Sequence, residues 1–510
     1  MSEEMSARID LPRATFAWVA LITTAALALS FGVFCFVRQT QLGFIATGLR
    51  NPGYGGAAWG LYICFDVFFT GVSFAGITVA AITRLFDVTV LRPVTRMAEL
   101  LTIAALLAAA CAVVSDLGRP VNGLLNLPRV ADPQSAFYGT FTLVVAGYLF
   151  SSVVYFFLAG RRDAARLAAD PTRRFFHVFY RAWASGYSDT PVEQVRHRRV
   201  TFWLSVGILP LLVTAHSTLG FIFGIQSGRP GWYSALQAPA FVVMAALSGT
   251  GALILFAILA RWMFRLDVPS SAIHWLGKFL WVLSFVYLYF VVADELTASY
   301  AGPEADRAVA HEVVGGAFAI SFWIVVGSLV VTVILGFLQY VMKRKTVVLL
   351  GVAAVTANIA AVLKRLIIVV PSQTHGSLMP LDEGSYSPAW IEIGIVSGLA
   401  GFIILIVMLF ARVFPLVPSE AEWPPHEHAE LWQPSRTIAT VATIGAALSL
   451  IVIGLLDSFR RLRPGELDPL IPYSPVLFAL GVMLLFGAAI VYEVFPRNGA
   501  GRERAPASQS

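Results

Sequence analysis

Ionisable side chains interrupt three of the long apolar runs of this sequence. Asp66 and Asp116 lie within or at the end of two such runs, and His216 is followed directly by Ser217 in a third. A polar group inside such a run is costly to bury, and it normally faces a helical bundle, a cavity or a substrate path. For His216 the structural alternative is a hydrogen bond to a neighbouring helix.

Two Gly-Arg-Pro motifs place arginines where apolar runs end. Arg119 belongs to the motif that follows Asp116, and Arg229 to the motif just before Trp232. Because proline stops a helix and glycine permits a tight turn, each arginine is expected at the rim of a helical bundle. Arg119 can pair with Asp116, and such a pair serves equally well as a structural staple or as part of a site.

Further polar and aromatic side chains are expected at the same end of the bundle. Trp59 and Tyr62 precede Asp66, and Glu295 lies where the seventh apolar run ends. Acids, a histidine, hydroxyls and aromatic walls suit a quinone, whose ring needs an apolar slot with polar groups at both carbonyl oxygens. Its reduction takes up protons together with electrons, and histidine and carboxyl groups can exchange those protons.

No metal, haem or iron–sulfur cluster is expected in this chain. The three cysteines all fall in apolar runs, so they provide neither a disulfide framework nor a cluster ligand set. A membrane haem requires paired deep histidines, and only His216 is deep. The segment around His426 and His428 is interpreted as a solvated acidic loop, because no framework would fix metal ligands there. Electrons must therefore come from a docked redox protein.

The composition predicts an all-α polytopic membrane protein. The chain has 510 residues, of which 57% are hydrophobic and 13% charged, with a mean hydropathy of +0.75. Helices can cross a bilayer because they satisfy their own backbone hydrogen bonds. About twelve spans are predicted, at residues 14–37, 58–83, 94–115, 136–160, 200–225, 237–264, 272–294, 312–342, 346–368, 388–413, 435–456 and 473–495.

The distribution of lysine and arginine predicts the orientation. A net charge of +6 is compatible with nucleic acid binding, but the arginines sit in short loops between spans, where they record membrane topology. Most of them fall on the side that also holds both termini, which is therefore expected to be cytoplasmic. The basic, aromatic 161–199 loop suits a helix lying on an anionic membrane surface, with docking of a cytoplasmic partner as the less favoured use.

The expected organisation follows from these spans. Residues 1–13 form a cytoplasmic N-terminus, 14–415 the main membrane domain, 416–434 a cytoplasmic loop, 435–495 two additional helices and 496–510 a disordered tail.

Three motifs in order resemble one protein family. Trp59-Gly60-Leu61-Tyr62 with Asp66, then Asp116-Leu117-Gly118-Arg119-Pro120, then His216-Ser217 followed by Gly231-Trp232, resemble the NrfD-like polysulfide reductase membrane subunits. The resemblance covers roughly residues 15–415. It implies two four-helix bundles, a menaquinone or ubiquinone site near the periplasmic face, and an iron–sulfur (ferredoxin-like) subunit docked over that site, with a molybdopterin or other redox subunit beyond.

The resemblance also implies residue roles. Proton handling is expected of Asp66, Asp116 and His216, and quinone binding of Trp59, Tyr62, Arg119, Ser217, Trp232 and Glu295. Some relatives have a histidine just before the Leu-Gly-Arg-Pro turn where this chain has Asp116, so the route of proton conduction stays open.

The function expected is that of a quinone-reactive membrane subunit of a respiratory oxidoreductase in the bacterial inner membrane, with proton translocation left open. One alternative is a secondary transporter, although its broken helices would lie near the midplane, whereas the Gly and Pro breaks here lie mostly at span ends. A purely structural anchor is the other alternative.

Overall fold

The computed structural model describes residues 15–49, 56–130, 135, 138–170, 175–343, 346–375, 384–418, 434–463, 470–471 and 473–494. Regular structure in these ranges is helical throughout, which confirms the all-α class. In chain order the helices are α1 (Phe16–Leu42), α2 (Leu61–Leu85), α3 (Thr95–Asp116), α4 (Pro120–Val130), α5 (Phe150–Ala169), α6 (His177–Ala184), α7 (Pro191–Gly224), α8 (Gln237–Met263), α9 (Ser270–Ala301), α10 (Glu304–Val314), α11 (Ala319–Tyr340), α12 (Val347–Val369), α13 (Pro371–Thr374), α14 (Trp390–Val413), α15 (Pro434–Arg461) and α16 (Ser474–Val494).

The chain is an integral multi-pass membrane protein. Within the described ranges, eleven helices are long and apolar enough to cross a membrane. The predicted span 136–160 corresponds to a π-helical stretch, Thr140–Leu149, that continues directly into α5. With this crossing added, the prediction of about twelve spans is confirmed.

Two predicted helix starts were wrong. The span placed at 312–342 is two helices, because Gly315 and Gly316 separate α10 from α11 and glycine is a poor helix former. The span placed at 200–225 begins at Pro191, since Thr190 and Glu193 form a capping box that starts α7 earlier.

The expected pair of four-helix bundles is present. The first bundle consists of α2, α3, α7 and a fourth helix formed by the π-helical stretch together with α5. The second bundle consists of α8, α9, α11 and α12. The two bundles are joined because α2 and α7 pack on α8. Two helix pairs flank them: α1 with α14 beside α3, and α15 with α16 beside α5 and α7.

Small residues set the closest helix contacts. A Cβ atom at Gly398 would come within 2.7 Å of Gly32 Cα, so the α1–α14 pair depends on glycine on both helices. Likewise, a Cβ atom at Gly76 on α2 would collide with the Ala98 carbonyl oxygen of α3. Such approach is typical of membrane helices, whose association depends on packing rather than on burial from water.

Buried ion pairs hold the end of the bundles that contains Arg96, called here the Arg96 end. Arg96 donates to Asp163 at 2.5 Å, with 4% and 3% of the two side chains exposed. Arg161 donates to Glu493 of α16 at 2.7 Å, and His197 Nδ1 lies 3.0 Å from the same carboxylate oxygen. These contacts connect the α15–α16 pair to the first bundle.

Helix α6 lies against the Arg96 end. Its Tyr180 hydroxyl donates to the Val413 carbonyl at 2.6 Å, and its Trp183 ring stacks on Phe414 with centroids 4.3 Å apart. Val178 and Phe179 on the other face of α6 are exposed, and so is Phe175, which precedes the helix. This amphipathic arrangement fits the predicted membrane-surface helix, which remains a prediction.

Some expectations concern residues outside the described ranges. These are the N-terminus up to residue 14, the histidine-containing loop 419–433 and the C-terminal tail from residue 495.

Candidate functional site

The opposite end of the bundles, where α1, α3 and α7 end and α2 and α8 begin, contains Trp59 and is called the Trp59 end. Gln373 of α13 fixes the approach to α2 there. Its Oε1 accepts from the backbone N–H groups of Ala58 and Trp59 at 2.9 and 3.0 Å, and its Nε2 donates to the Trp59 carbonyl at 2.8 Å. One amide side chain thus positions the Trp59 segment from more than 300 residues away.

A second long-range contact holds the first turn of α2. The Tyr386 hydroxyl accepts from Leu61 N–H at 2.8 Å and donates to Glu392 Oε2 at 2.6 Å. Glu392 Oε1 in turn accepts from the Gly48 N–H at 2.7 Å. Burial and the nearby Glu392 carboxylate raise the pKa of Tyr386, so the phenol keeps its proton and remains a donor.

Aromatic rings from three segments form one wall of this end. Trp59 and Trp232 stack with centroids 5.6 Å apart and planes 14° apart, and Phe223 meets both rings edge-on. Trp232 donates through Nε1 to the Ile368 carbonyl at 2.6 Å. The turn before it requires a glycine, because Gly231 has φ +80° and a Cβ atom there would come within 2.8 Å of Val309. The Gly231 N–H also donates to Asp306 at 2.7 Å.

The two predicted carboxylates lie on adjacent helices, Asp66 on α2 and Asp116 at the end of α3. Asp116 is buried and Asp66 half-buried, and they lie close enough to interact electrostatically. The Tyr62 hydroxyl donates to Gln39 Oε1, and Gln39 Nε2 donates to the Ser115 carbonyl at 2.7 Å. Asp116 also acts electrostatically on Tyr62, so α1, α2 and α3 contribute to one polar cluster.

A narrow cleft opens beside this cluster, between the ends of α1 and α3. It is lined by Phe36, Gln39, Thr40, Gly43, Phe44, Val114, Ser115, Gly118 and Pro120. Next to it, α4 exposes Val121, Leu124 and Leu125. The cleft therefore combines apolar walls with the amide of Gln39, and an apolar surface leads to it.

His216 lies deeper in the first bundle and is only 2% exposed. Its Nδ1 lies 2.8 Å from the Leu212 carbonyl oxygen, and its Nε2 lies 3.0 Å from the Thr70 carbonyl oxygen of α2. A neutral imidazole carries one N–H and can donate to only one of these oxygens, whereas the protonated ring can donate to both. Thr70 also interacts with Asp66 through its side chain, so this one residue of α2 is next to both His216 and Asp66.

Three other expected residues are placed differently. Arg119 is exposed, and Ser217 is half-buried on α7. Glu295 faces the second bundle, where the Lys364 ammonium lies 3.5 Å from it and 3.8 Å from Asp294. The structure thus gathers Asp66, Asp116 and Tyr62, with His216 next to them through Thr70, and leaves Glu295 on the other side of α12.

Several residues of this region were missed by reasoning from sequence. Gln39, Gln373, Tyr386 and Glu392 fix the Trp59 end through contacts between distant segments, and no local pattern marks them. Glu99 did carry a signal, because it is a carboxylate inside the predicted span 94–115. The described residues contain no group of three or more His, Cys, Asp or Glu side chains that could hold a metal ion.

Comparisons with known proteins give a consistent family match. Residues 51–375, well over half of the chain, match the family model described as polysulphide reductase, NrfD. A Halobacterium salinarum protein, named provisionally as a membrane subunit of dimethyl sulfoxide reductase, is 28% identical over 425 residues, which make up 78% of this chain and 91% of the relative.

Two further relatives match the chain to a similar extent. A selenate reductase subunit of Mesobacillus selenatarsenatis is 25% identical over 72% of this chain and 88% of its own length. The Hdr-like menaquinol oxidoreductase integral membrane subunit of Archaeoglobus fulgidus is 23% identical, over 79% of this chain and 95% of its own length. All three names describe subunits of reductases or of an oxidoreductase.

Proposed function

Because the chain belongs to the NrfD polysulphide reductase family, we propose that it is the quinone-reactive membrane subunit of a respiratory oxidoreductase complex. The quinone ring binds at the Trp59 end, beside Asp66 and Asp116. The observation that carries this proposal is a cleft with apolar walls that is lined by Gln39. The Gln39 side chain accepts a hydrogen bond from Tyr62, and Asp116 interacts electrostatically with both Tyr62 and Asp66.

Different residues around the cleft provide the apolar contact, the polar group and the proton exchange that quinone binding and reduction require. The ring and its tail need apolar contact, which Phe36, Phe44 and the exposed leucines of α4 can provide. Gln39 offers a polar group to a ring oxygen. Asp66 and Asp116 supply or accept the protons that accompany the electrons.

The electron partner is a redox subunit docked over the Trp59 end. An iron–sulfur protein is the class that fits, with a molybdopterin or other catalytic subunit behind it, by analogy with the reductase complexes in which the relatives are named. The positive-inside rule then places the Trp59 end on the periplasmic side of the bacterial inner membrane and both termini in the cytoplasm.

The test is quinone-linked electron transfer by the purified complex. Asp66→Asn and Asp116→Asn should each lower the rate by about 10²-fold, the lower range for loss of a general acid or base, while the complex stays assembled. Asp87→Asn is the matched control, because Asp87 lies in a surface ion pair at the Arg96 end. A wild-type complex that retains no quinone, or unchanged rates in both variants, would overturn the proposal.

A further inference from the structure

A second cleft opens at the Trp59 end, between the first turn of α8 and the C-terminal part of α9, and is called here the α8–α9 cleft. Its apolar walls include Leu236, Phe290 and Ile368. Three polar side chains also line it, one from each of three helices: Gln237 of α8, Asp294 of α9 and Lys364 of α12. All three helices belong to the second bundle, so this cleft is distinct from the one beside Gln39.

The Gln237 side chain is buried in the wall of this cleft without a hydrogen bond. Only 4% of the residue is exposed, and its amide group has no hydrogen-bond partner in the part of the chain that the structure describes. Burying an amide without a partner is costly, because the group gives up its hydrogen bonds to water. The position of this side chain therefore indicates that a polar group of a ligand completes it.

The Lys364 ammonium keeps donors free for the same ligand. It lies 3.5 Å from Glu295 Oε1 and 3.8 Å from Asp294 Oδ2, and 6% of its side chain is exposed. An ammonium has three N–H donors, and the hydrogen bond that Lys364 makes to a described residue goes to Glu295. Donors therefore remain for an acceptor in the cleft.

The charges around the cleft nearly balance. Asp294 is 30% exposed and accepts no hydrogen bond from any residue in the described ranges. Lys364 offsets one of the two neighbouring carboxylates, and the N-terminus of α8, which has no side-chain cap, adds about half a positive charge. A ligand that carries one negative and one positive group fits this arrangement better than a purely anionic one.

The position of the cleft suits the headgroup of a membrane lipid. Gln237 is the first residue of α8, and Asp294 lies where the seventh predicted span ends, so both are expected at the boundary between hydrocarbon and headgroups. The same stretch of α9 exposes Tyr289 and Val292, which can contact acyl chains.

We propose that the α8–α9 cleft binds phosphatidylethanolamine, a phospholipid whose headgroup carries a phosphate and a primary ammonium. Lys364 and the Gln237 amide donate to the phosphate oxygens, and the lipid ammonium donates to Asp294. Purely basic pockets suit anionic lipids, which Asp294 would repel here. The quaternary ammonium of phosphatidylcholine has no N–H group to donate to Asp294. The bound lipid connects α8, α9 and α12, and the proposal goes beyond quinone chemistry.

The experiment titrates lipids into the delipidated full-length chain in detergent and measures bound lipid by native mass spectrometry. Wild type should bind phosphatidylethanolamine about tenfold more tightly than phosphatidylglycerol, which has the phosphate but no ammonium, since a hydrogen bond between charged groups contributes roughly that factor. Asp294→Asn removes the charge that holds the ammonium and should abolish this preference. Asp267→Asn, exposed in the connection of the same two helices at the Arg96 end, is the matched control and should bind both lipids like wild type.

A second variant tests the phosphate contact and keeps the test decisive if Asp294→Asn does not fold. Gln237→Met keeps the length of the side chain but removes the amide, so it should weaken both lipids by a similar factor and leave the preference between them.

Three results would overturn the proposal. Wild type would bind the two lipids equally, the preference would survive in Asp294→Asn, or Gln237→Met would bind both lipids like wild type. Glycerophosphoethanolamine, the headgroup without acyl chains, should compete only at much higher concentration than the lipid, and equal competition would assign the cleft to a soluble phosphate ester instead. None of these measurements involves quinone, so failure here is distinguishable from failure of the proposed function.

Discussion

The buried contact between Arg161 and Glu493 should decide whether α15 and α16 stay attached to the first bundle. Only 4% and 2% of the two side chains are exposed. His197 Nδ1 also lies 3.0 Å from the Glu493 carboxylate. Arg161 also donates to the Ala184 and Ser185 carbonyls at 3.2 and 3.3 Å. Removing one charge therefore leaves a buried partner that has lost its closest opposite charge.

The expected magnitude follows from that geometry. Loss of one member of a buried ion pair costs about 3–5 kcal/mol. His197 still contacts Glu493 in Arg161→Met, so the lower figure applies to that variant. At about 1.4 kcal/mol per tenfold, 3 kcal/mol raises the detached population by roughly 100-fold. Replacing both residues with methionine removes both charges and should return the population to within about tenfold of wild type.

Thiol labelling measures this detachment directly. Ala488→Cys places a thiol at a buried position of α16, and Cys111→Ser removes the exposed native cysteine. N-ethylmaleimide should then label Arg161→Met about 100 times faster than the parent. Arg92→Met breaks the exposed Arg92–Asp87 pair and should leave the labelling rate nearly unchanged. A rate within fivefold of the parent in Arg161→Met would refute the reasoning.

Three further predictions concern packing, the membrane surface and the second bundle. Gly398→Leu should lower stability by about 1–3 kcal/mol in thermal unfolding, because it collides with Gly32, whereas Gly445→Leu meets open space and should not. A fluorophore at Val178→Cys should be quenched by lipids brominated near the headgroup, and an unquenched probe would contradict a surface helix. Lys364→Met should lower the unfolding midpoint, since it leaves two carboxylates uncompensated, and Lys364→Arg should not.

The sequence predicts the helices of this protein well, because each membrane-spanning helix needs a continuous apolar run of about 20 residues and such runs can be read directly from the sequence. It also predicts that Asp66 and Asp116 share one cluster, since both lie near span ends on the same side. Glu295 shows the limit of that reasoning. It lies at the expected end, but the rotation of α9 directs it to Lys364 in the second bundle.

Contacts between distant segments could not be predicted in this way. Gln373 holds Trp59, and Tyr386 holds Leu61, through tertiary packing that no local pattern encodes. Glu99 is different, because the physical rule that marked Asp66 applies to it equally. A carboxylate inside an apolar span is informative wherever it lies along the span.

The π-helical stretch before α5 has a consequence for comparing related chains. Its backbone N–H groups reach five residues back instead of four, so each such turn holds more amino acids than an α turn. A relative with one residue fewer here can keep the same loops simply by winding tighter. In this protein the Tyr148 hydroxyl donates to the Ser73 carbonyl of α2. The counterpart of Tyr148 in such a relative would be rotated by about 100° around the helix axis and would lose this hydrogen bond. Tyrosines of related chains are therefore equivalent to Tyr148 only when the structures superpose them. Equal spacing from the next motif in the sequence is not sufficient.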